Sequence, residues 1–193
     1  MFPTTIWTTI REAGAQDRDA LERVADSYRA PILRFIAGKG FESGEAEDLT
    51  QDVFVRLLAS GVLERADAAR GRFRSLLLSV AMHTVQDRWR KRREIPTEAE
   101  IEILDKDPGF DREWMLELVE RAMRRMQEEG SPYHPVLAGH LGGEKQNRNK
   151  LWIARKKLVA YLRHEVALTC STPKELEDEL EYLSQFLRPG QKG

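Results

Sequence analysis

From Ala46 to Leu58 the chain reads AEDLTQDVFVRLL, and Leu49, Val53 and Leu57 fall four residues apart within it. That spacing stacks three apolar side chains on one side of a helix. It leaves Asp48, Asp52 and Arg56, also four apart, on a separate stripe with Gln51. The same helical period recurs along the chain, and alternating apolar and polar runs bounded by turn residues are absent. The chain is therefore expected to be all-α.

Helix by helix, Leu21, Val24, Ala25 and Tyr28 share one face of a first segment. Pro31 is expected to break or kink it, with Ile32, Phe35 and Ile36 in a second piece that ends at Gly38 and Gly40. Ser43 is placed to cap the Leu49-bearing helix, whose first turn holds Glu45, Glu47 and Asp48. A helix over Phe73–Arg92 follows Gly61 and a polar connection. Glu94–Gly109, acidic and with two prolines, reads as a linker in which Thr97 and Glu100 fit a capping box. Beyond it the spacing predicts helices over Arg112–Glu129, from Ser131-Pro132 to Leu141, and over Arg148–Val166. Thr172 and Glu175 form a second capping box, opening a last helix with Leu176, Leu180, Leu183 and Leu187. The expected architecture is two small helical domains joined by the acidic linker.

Composition narrows the function classes. Charged residues make up 33% of 193 and apolar ones 41%, the balance of a globular chain. The net charge of -1 conceals segregation. Arg70, Arg72, Arg74, Arg88, Arg90, Lys91, Arg92 and Arg93 face a lone Asp87 within one stretch, an acidic stretch follows, and Lys145–Lys157 is basic again. Alternating blocks of this kind suit local nucleic-acid contacts better than general polyanion binding. Cys170 is the only cysteine, which rules out an intrachain disulfide and a cysteine-rich zinc site. The longest apolar run is too short to span a bilayer, and the N-terminus lacks a signal pattern, so a cytoplasmic protein is expected. Neither P-loop, HExxH nor nucleophile elbow is present, and no catalytic residue, metal ligand or cofactor is assigned.

Three segments carry candidate contacts. The Asp48, Gln51, Asp52 and Arg56 stripe is either a solvated face or a docking surface. In the Phe73–Arg92 helix, Leu77, Leu78, Ala81, Met82, Val85 and Trp89 project to a wide buried side. A narrow polar line of Ser75, Ser79, His83, Gln86 and Arg90 remains, with Asp87 alongside, able to hydrogen-bond to bases and phosphates. Arg88–Arg93 crowds the helix end, where cations also offset the macrodipole. Trp89 and Phe73 are either core residues or stacking partners for unpaired bases. In the Arg148–Val166 helix, Leu151, Ala154, Leu158 and Leu162 form the core stripe. Asn149, Trp152, Ile153 and Lys156 lie opposite, and Arg148 and Arg155 sit near the core edge. Trp152 either belongs to a contact surface or packs on the last helix.

Together these segments resemble the extracytoplasmic-function sigma factors of the sigma-70-like family. AEDLTQDVFVRLL resembles their region 2.2, which implies that Asp48, Gln51, Asp52 and Arg56 face the clamp helices of the polymerase beta-prime subunit. GRFRSLLLSVAMHTVQDRWRKRR is similar to regions 2.3 and 2.4, which melt and read the minus-ten element. By that resemblance the minus-ten surface comprises Arg72, Arg74, Ser79, His83, Gln86, Asp87, Arg88, Trp89, Arg90, Arg92 and Arg93. NRNKLWIARKKL resembles the region 4 helix that reads the minus-thirty-five element, through Arg148, Asn149, Lys150, Trp152, Arg155 and Lys156. VLAGHLGGEKQ, short and glycine-rich, stands where relatives have the first helix of a helix-turn-helix. The implied division is a region 2-like domain over 1–93, a linker over 94–111, a region 4-like domain over 112–168 and a C-terminal extension over 169–193. Core RNA polymerase, promoter DNA and an anti-sigma factor are the implied partners. The competing readings are a DNA-binding regulator that never docks polymerase, a sigma-like interaction module, and an enzyme built on Asp48, Asp52 and His83.

Overall fold

The computed structural model describes residues 18–59, 73–92, 106–170 and 172–187. These residues form seven α-helices and no strand: α1 (Arg18–Gly38), α2 (Ser43–Ala59), α3 (Phe73–Arg92), α4 (Pro108–Glu128), α5 (His134–Leu141), α6 (Arg148–Ala167) and α7 (Pro173–Leu187). No described helix is long and apolar enough to cross a membrane.

Pro31 does not break the first helix. α1 runs through it, with Pro31 itself buried. A proline inside a helix removes one backbone hydrogen bond and crowds the preceding turn, at a cost of about 3 kcal/mol. Tyr28, Ile32, Phe35 and Ile36, buried on both sides of it, hold the helix on the core and offset that cost. Ser43 lies inside the first turn of α2 rather than ahead of it, since the Ala46 N–H already bonds the Glu42 carbonyl.

α4 begins at Pro108, inside the stretch read as a linker, because Asp107 caps it. The Asp107 carboxylate accepts from the N–H groups of Gly109 (2.9 Å) and Phe110 (3.0 Å), and its other oxygen accepts from Lys39 Nζ at 3.1 Å. Thr97 and Glu100, with the rest of 93–105, lie outside the described residues. α5 starts at His134, later than the Ser131-Pro132 pair suggests, with Ser131 instead accepting from the His134 N–H in the preceding turn. Asn147 caps α6 and Thr172 caps α7, its hydroxyl accepting from the Glu175 N–H at 3.2 Å.

The helices expected to form two units share one core. Tyr28 of α1 stacks on Trp114 of α4 at 5.0 Å and meets Phe73 of α3 edge-on at 5.1 Å. Phe35 of α1 meets Phe110 of α4 edge-on at 5.3 Å. The same cluster continues through Leu118 and Ala122 to Leu162 and Val166 of α6 and to Leu176 and Leu183 of α7. α4 is the hub, packing on α1, α6, α7 and α5. A smaller cluster of Met126, Leu137 and Ala154 joins α4, α5 and α6 at the far end.

The Asp107 cap makes a test of this joint. Burial alone would raise its carboxyl, but the bonds from Phe110, Lys39 and Gly109 outweigh burial and hold it below its usual value of 3.8. A depressed folded value means the stabilisation is present above 3.8 and lost as pH falls through the folded value. Asp107→Ala is expected to cost about 1 kcal/mol in urea unfolding at pH 7. The gap between variant and parent should close as the pH is lowered below the ordinary aspartate range.

Candidate polymerase and nucleic-acid interface

α2 presents two clean faces. Leu49, Val53 and Leu57 are buried, while Asp48, Gln51 and Asp52 are exposed, as the four-residue spacing requires. Val55, 55% exposed, projects between Gln51 and the two aspartates and was not picked out by the spacing argument. Its signal was present: an apolar residue off the Leu49/Val53/Leu57 register of an otherwise regular helix. Arg56 stands apart from this stripe. It is partly buried, and its Nη1 donates to Asp87 Oδ2 of α3 at 2.7 Å, so it ties the two helices together.

α3 differs from its sequence projection in its first half. Phe73, Arg74, Ser75, Leu77, Leu78, Ser79, Val80 and Ala81 are all buried, leaving no polar line there. Ser79 lies 1% exposed and donates to the Ser75 carbonyl at 2.7 Å, so in this arrangement it is closed to DNA. Arg74 is likewise removed from any DNA-facing surface. Its Nε donates to Glu179 of α7 at 2.7 Å and its Nη1 to Asp111 of α4, with all three side chains essentially inaccessible. Tyr182 donates its hydroxyl to Asp111, and its ring lies 5.1 Å from the guanidinium. Burial pushes the Asp111 carboxyl above its usual value, against the opposing charge of Arg74. Burial would lower Arg74, but Glu179 and Asp111 outweigh it and hold the guanidinium firmly charged.

The second half of α3 is open. His83, Gln86, Asp87, Arg88, Trp89 and Arg90 are partly exposed, and Lys91 and Arg92 are exposed. Asp87 is the local hub, with Arg56 at 2.7 Å, and His83 Nε2 and Arg90 Nη1 each at 3.4 Å. Trp89 stacks on Phe41 at 5.9 Å and packs against the core, so one of its faces is already taken. Arg88 Nε donates to Glu45 Oε1 at 2.9 Å, and Arg92 pairs with the other oxygen of Glu45 while lying over the Phe41 ring. The sequence alone marks Glu45 only as a first-turn acid of α2. Arg72 and Arg93 lie outside the described residues.

α6 displays Arg148, Asn149, Lys150, Trp152, Arg155 and Lys156, all exposed. Trp152 is 58% exposed and does not pack on α7; Lys156 Nζ instead sits 3.9 Å over its ring. α5, only two turns long, braces α6 through Leu137 against Ala154. The turn between them uses Gly143 at φ 87, a conformation that favours glycine. Arg155 Nη2 lies 3.0 Å from His140 Nε2 across the same turn. A short helix, a six-residue connection over 142–147 and a long exposed basic helix thus follow one another.

Among the described residues no group of three histidine, cysteine or acidic side chains could hold a metal ion. Asp48 and Asp52 lie on the outer face of α2, whereas His83 is engaged with Asp87, so the three do not form a cluster.

The buried arginine gives the sharpest test of this geometry. Arg74→Ala leaves Asp111 and Glu179 facing each other without their cation and is expected to cost about 3–5 kcal/mol in urea unfolding at pH 7. Without the Arg74 charge that opposes burial, the Asp111 carboxyl rises further, and a raised carboxyl destabilises the fold at high pH and recovers that loss as it becomes protonated. The deficit of the variant should therefore shrink as pH is lowered from 7 toward the ordinary carboxylate range.

Comparison with known proteins bears on the first three helices. No curated protein and no solved structure matches the chain. Residues 24–95, which run from α1 to just beyond α3, match the family model of sigma-70 region 2, and this part of the chain is similar to that region.

Proposed function

We propose that this chain is a cytoplasmic sigma factor of the extracytoplasmic-function type, which directs core RNA polymerase to specific promoters and helps to open them. The observation that carries the proposal is the match of residues 24–95 to sigma-70 region 2. Two of the three segments on which the sequence resemblance rests, 46–58 and 71–93, lie within that match, and the third, 147–158, lies outside it.

In this reading the exposed acidic stripe of α2, Asp48, Gln51 and Asp52 with Val55 among them, docks on the polymerase. The open end of α3 meets the minus-ten element. There His83, Gln86, Asp87 and Arg90 face bases, while Arg88, Arg92 and Arg93 meet the backbone. Arg148, Asn149, Lys150, Trp152, Arg155 and Lys156 of α6 meet the minus-thirty-five element. An anti-sigma factor is a further proposed partner. None of these roles needs a cofactor or a covalent step, since promoter opening draws on binding energy alone.

One observation favours a second reading. α4 and α7 close over the first turns of α3 and sequester Arg74, which suits a sigma-like protein that binds polymerase but does not initiate.

Run-off transcription with core polymerase on a library of promoter sequences separates the two. Specific transcripts that require the chain are expected; polymerase binding without transcripts would support the second reading. Asp52→Arg, which reverses one charge on the exposed stripe, is expected to weaken core-polymerase binding on the order of tenfold. Circular dichroism should be unchanged. Equal affinity of parent and variant would remove the docking assignment.

A further inference from the structure

The end of α3 already contains an anion. Glu45, in the first turn of α2, is largely buried beneath Arg88 and Arg92, with 18% of its side chain exposed against 40% and 53% for theirs. One carboxylate oxygen accepts from Arg88 Nε at 2.9 Å and the other is paired with Arg92 Nη2. Arg88 and Arg92 are one helical turn apart, so without a counter-charge their guanidiniums would repel. The Arg92 guanidinium is also fixed over Phe41, whose other neighbour is Trp89. Two arginine forks, an aromatic shelf and a carboxylate between them form a fixed anion site with its own occupant.

We propose that Glu45 is an internal competitor for DNA phosphate: it fills the anion site of Arg88 and Arg92, and a backbone phosphate must displace it. This inference rests on the promoter-binding reading above. A phosphate and a carboxylate cannot share the site at close range, because like charges in a partly dehydrated position repel. Any DNA can supply a phosphate, but only a well-placed duplex also supplies the base contacts that repay displacement of Glu45. The acid therefore penalises all sequences by a common factor: it leaves the ratio of promoter to random affinity unchanged and keeps a duplex without base contacts off the site at low concentration. Asp87, next to Arg88 on α3, likewise holds two guanidiniums, those of Arg56 and Arg90.

The test compares the parent chain, Glu45→Gln and Arg88→Ala/Arg92→Ala, each with and without the glutamine change, all bound to core polymerase. Fluorescence anisotropy with a labelled random-sequence duplex over a salt series reads the affinity. Glu45→Gln is expected to tighten binding to this duplex about fivefold. It should also steepen the log–log salt slope by about 0.9 for each guanidinium it frees. The effect should vanish in the double-alanine background, where no anion site remains. Weaker or unchanged binding by the glutamine variant, with the parent binding measurably and both melting at the same temperature, would overturn the proposal. That result would make Glu45 a brace for the two arginines and leave the promoter reading intact. Absence of DNA binding by every protein in the series would instead overturn the promoter reading, and this proposal with it.

Discussion

Arg74 is the residue on which the architecture turns. A guanidinium taken out of water is costly, and this one is 1% exposed. It is tolerated because Asp111 arrives from α4 and Glu179 from α7, each meeting a different nitrogen of the fork. A planar, permanently charged group with divergent donors suits this role in a way a lysine does not. The consequence is mutual dependence: α4 and α7 cannot leave α3 without stranding a charge, and α3 cannot expose its first turns while they remain. Buried ion clusters often add little net stability compared with apolar packing, but they are intolerant of misregistration. Here the cluster sets where the second half of the chain sits on the first, and Tyr28, Trp114, Phe73 and Phe110 supply the apolar area beneath it.

With the interior settled that way, the contact surfaces are what remains outside. The exposed stripe of α2 faces away from the core, the open end of α3 carries its cations beyond the covered turns, and α6 shows its basic face on the side opposite Ala154. The cations of α3 are not bare. Glu45 holds Arg88 and Arg92, and Asp87 holds Arg90 together with Arg56 of α2, so the surface is closer to neutral than the run of arginines suggests. Chain segments of opposite charge have folded onto one another, so charge that is segregated along the sequence is largely paired in space.

Local spacing made most of the helices legible, because a three- to four-residue period is a property of neighbours in sequence. Leu49, Val53 and Leu57 went inward and Asp48, Gln51 and Asp52 outward, as their spacing demands. Contacts between distant segments were not legible. Asp111 lies 37 residues from Arg74 and Glu179 lies 105 away, and nothing near Arg74 announces that two acids will close over it. Ser75 and Ser79 read as a polar line for the same reason: small hydroxyls can bond within their own helix, as Ser79 does to Ser75, and so bury at little cost. Pro31 misled in the opposite sense, since tertiary packing on both sides carried the helix through it. An acidic, proline-containing stretch reads as a linker, and within it Asp107 and Pro108 open α4, whose Phe110 and Trp114 pack with the aromatic residues of α1 and α3.

Through Arg74, α3, α4 and α7 form one cooperative unit, and native-state hydrogen exchange measures this directly. The slowest amides of α3 around Leu77 and Leu78, of α4 around Leu118 and of α7 around Leu183 should exchange only by global opening, with one common free energy equal to that from urea unfolding. Exchange of α7 at a much lower opening free energy, with α3 still protected, would show that the C-terminal helix is a loosely held appendage and would contradict the account.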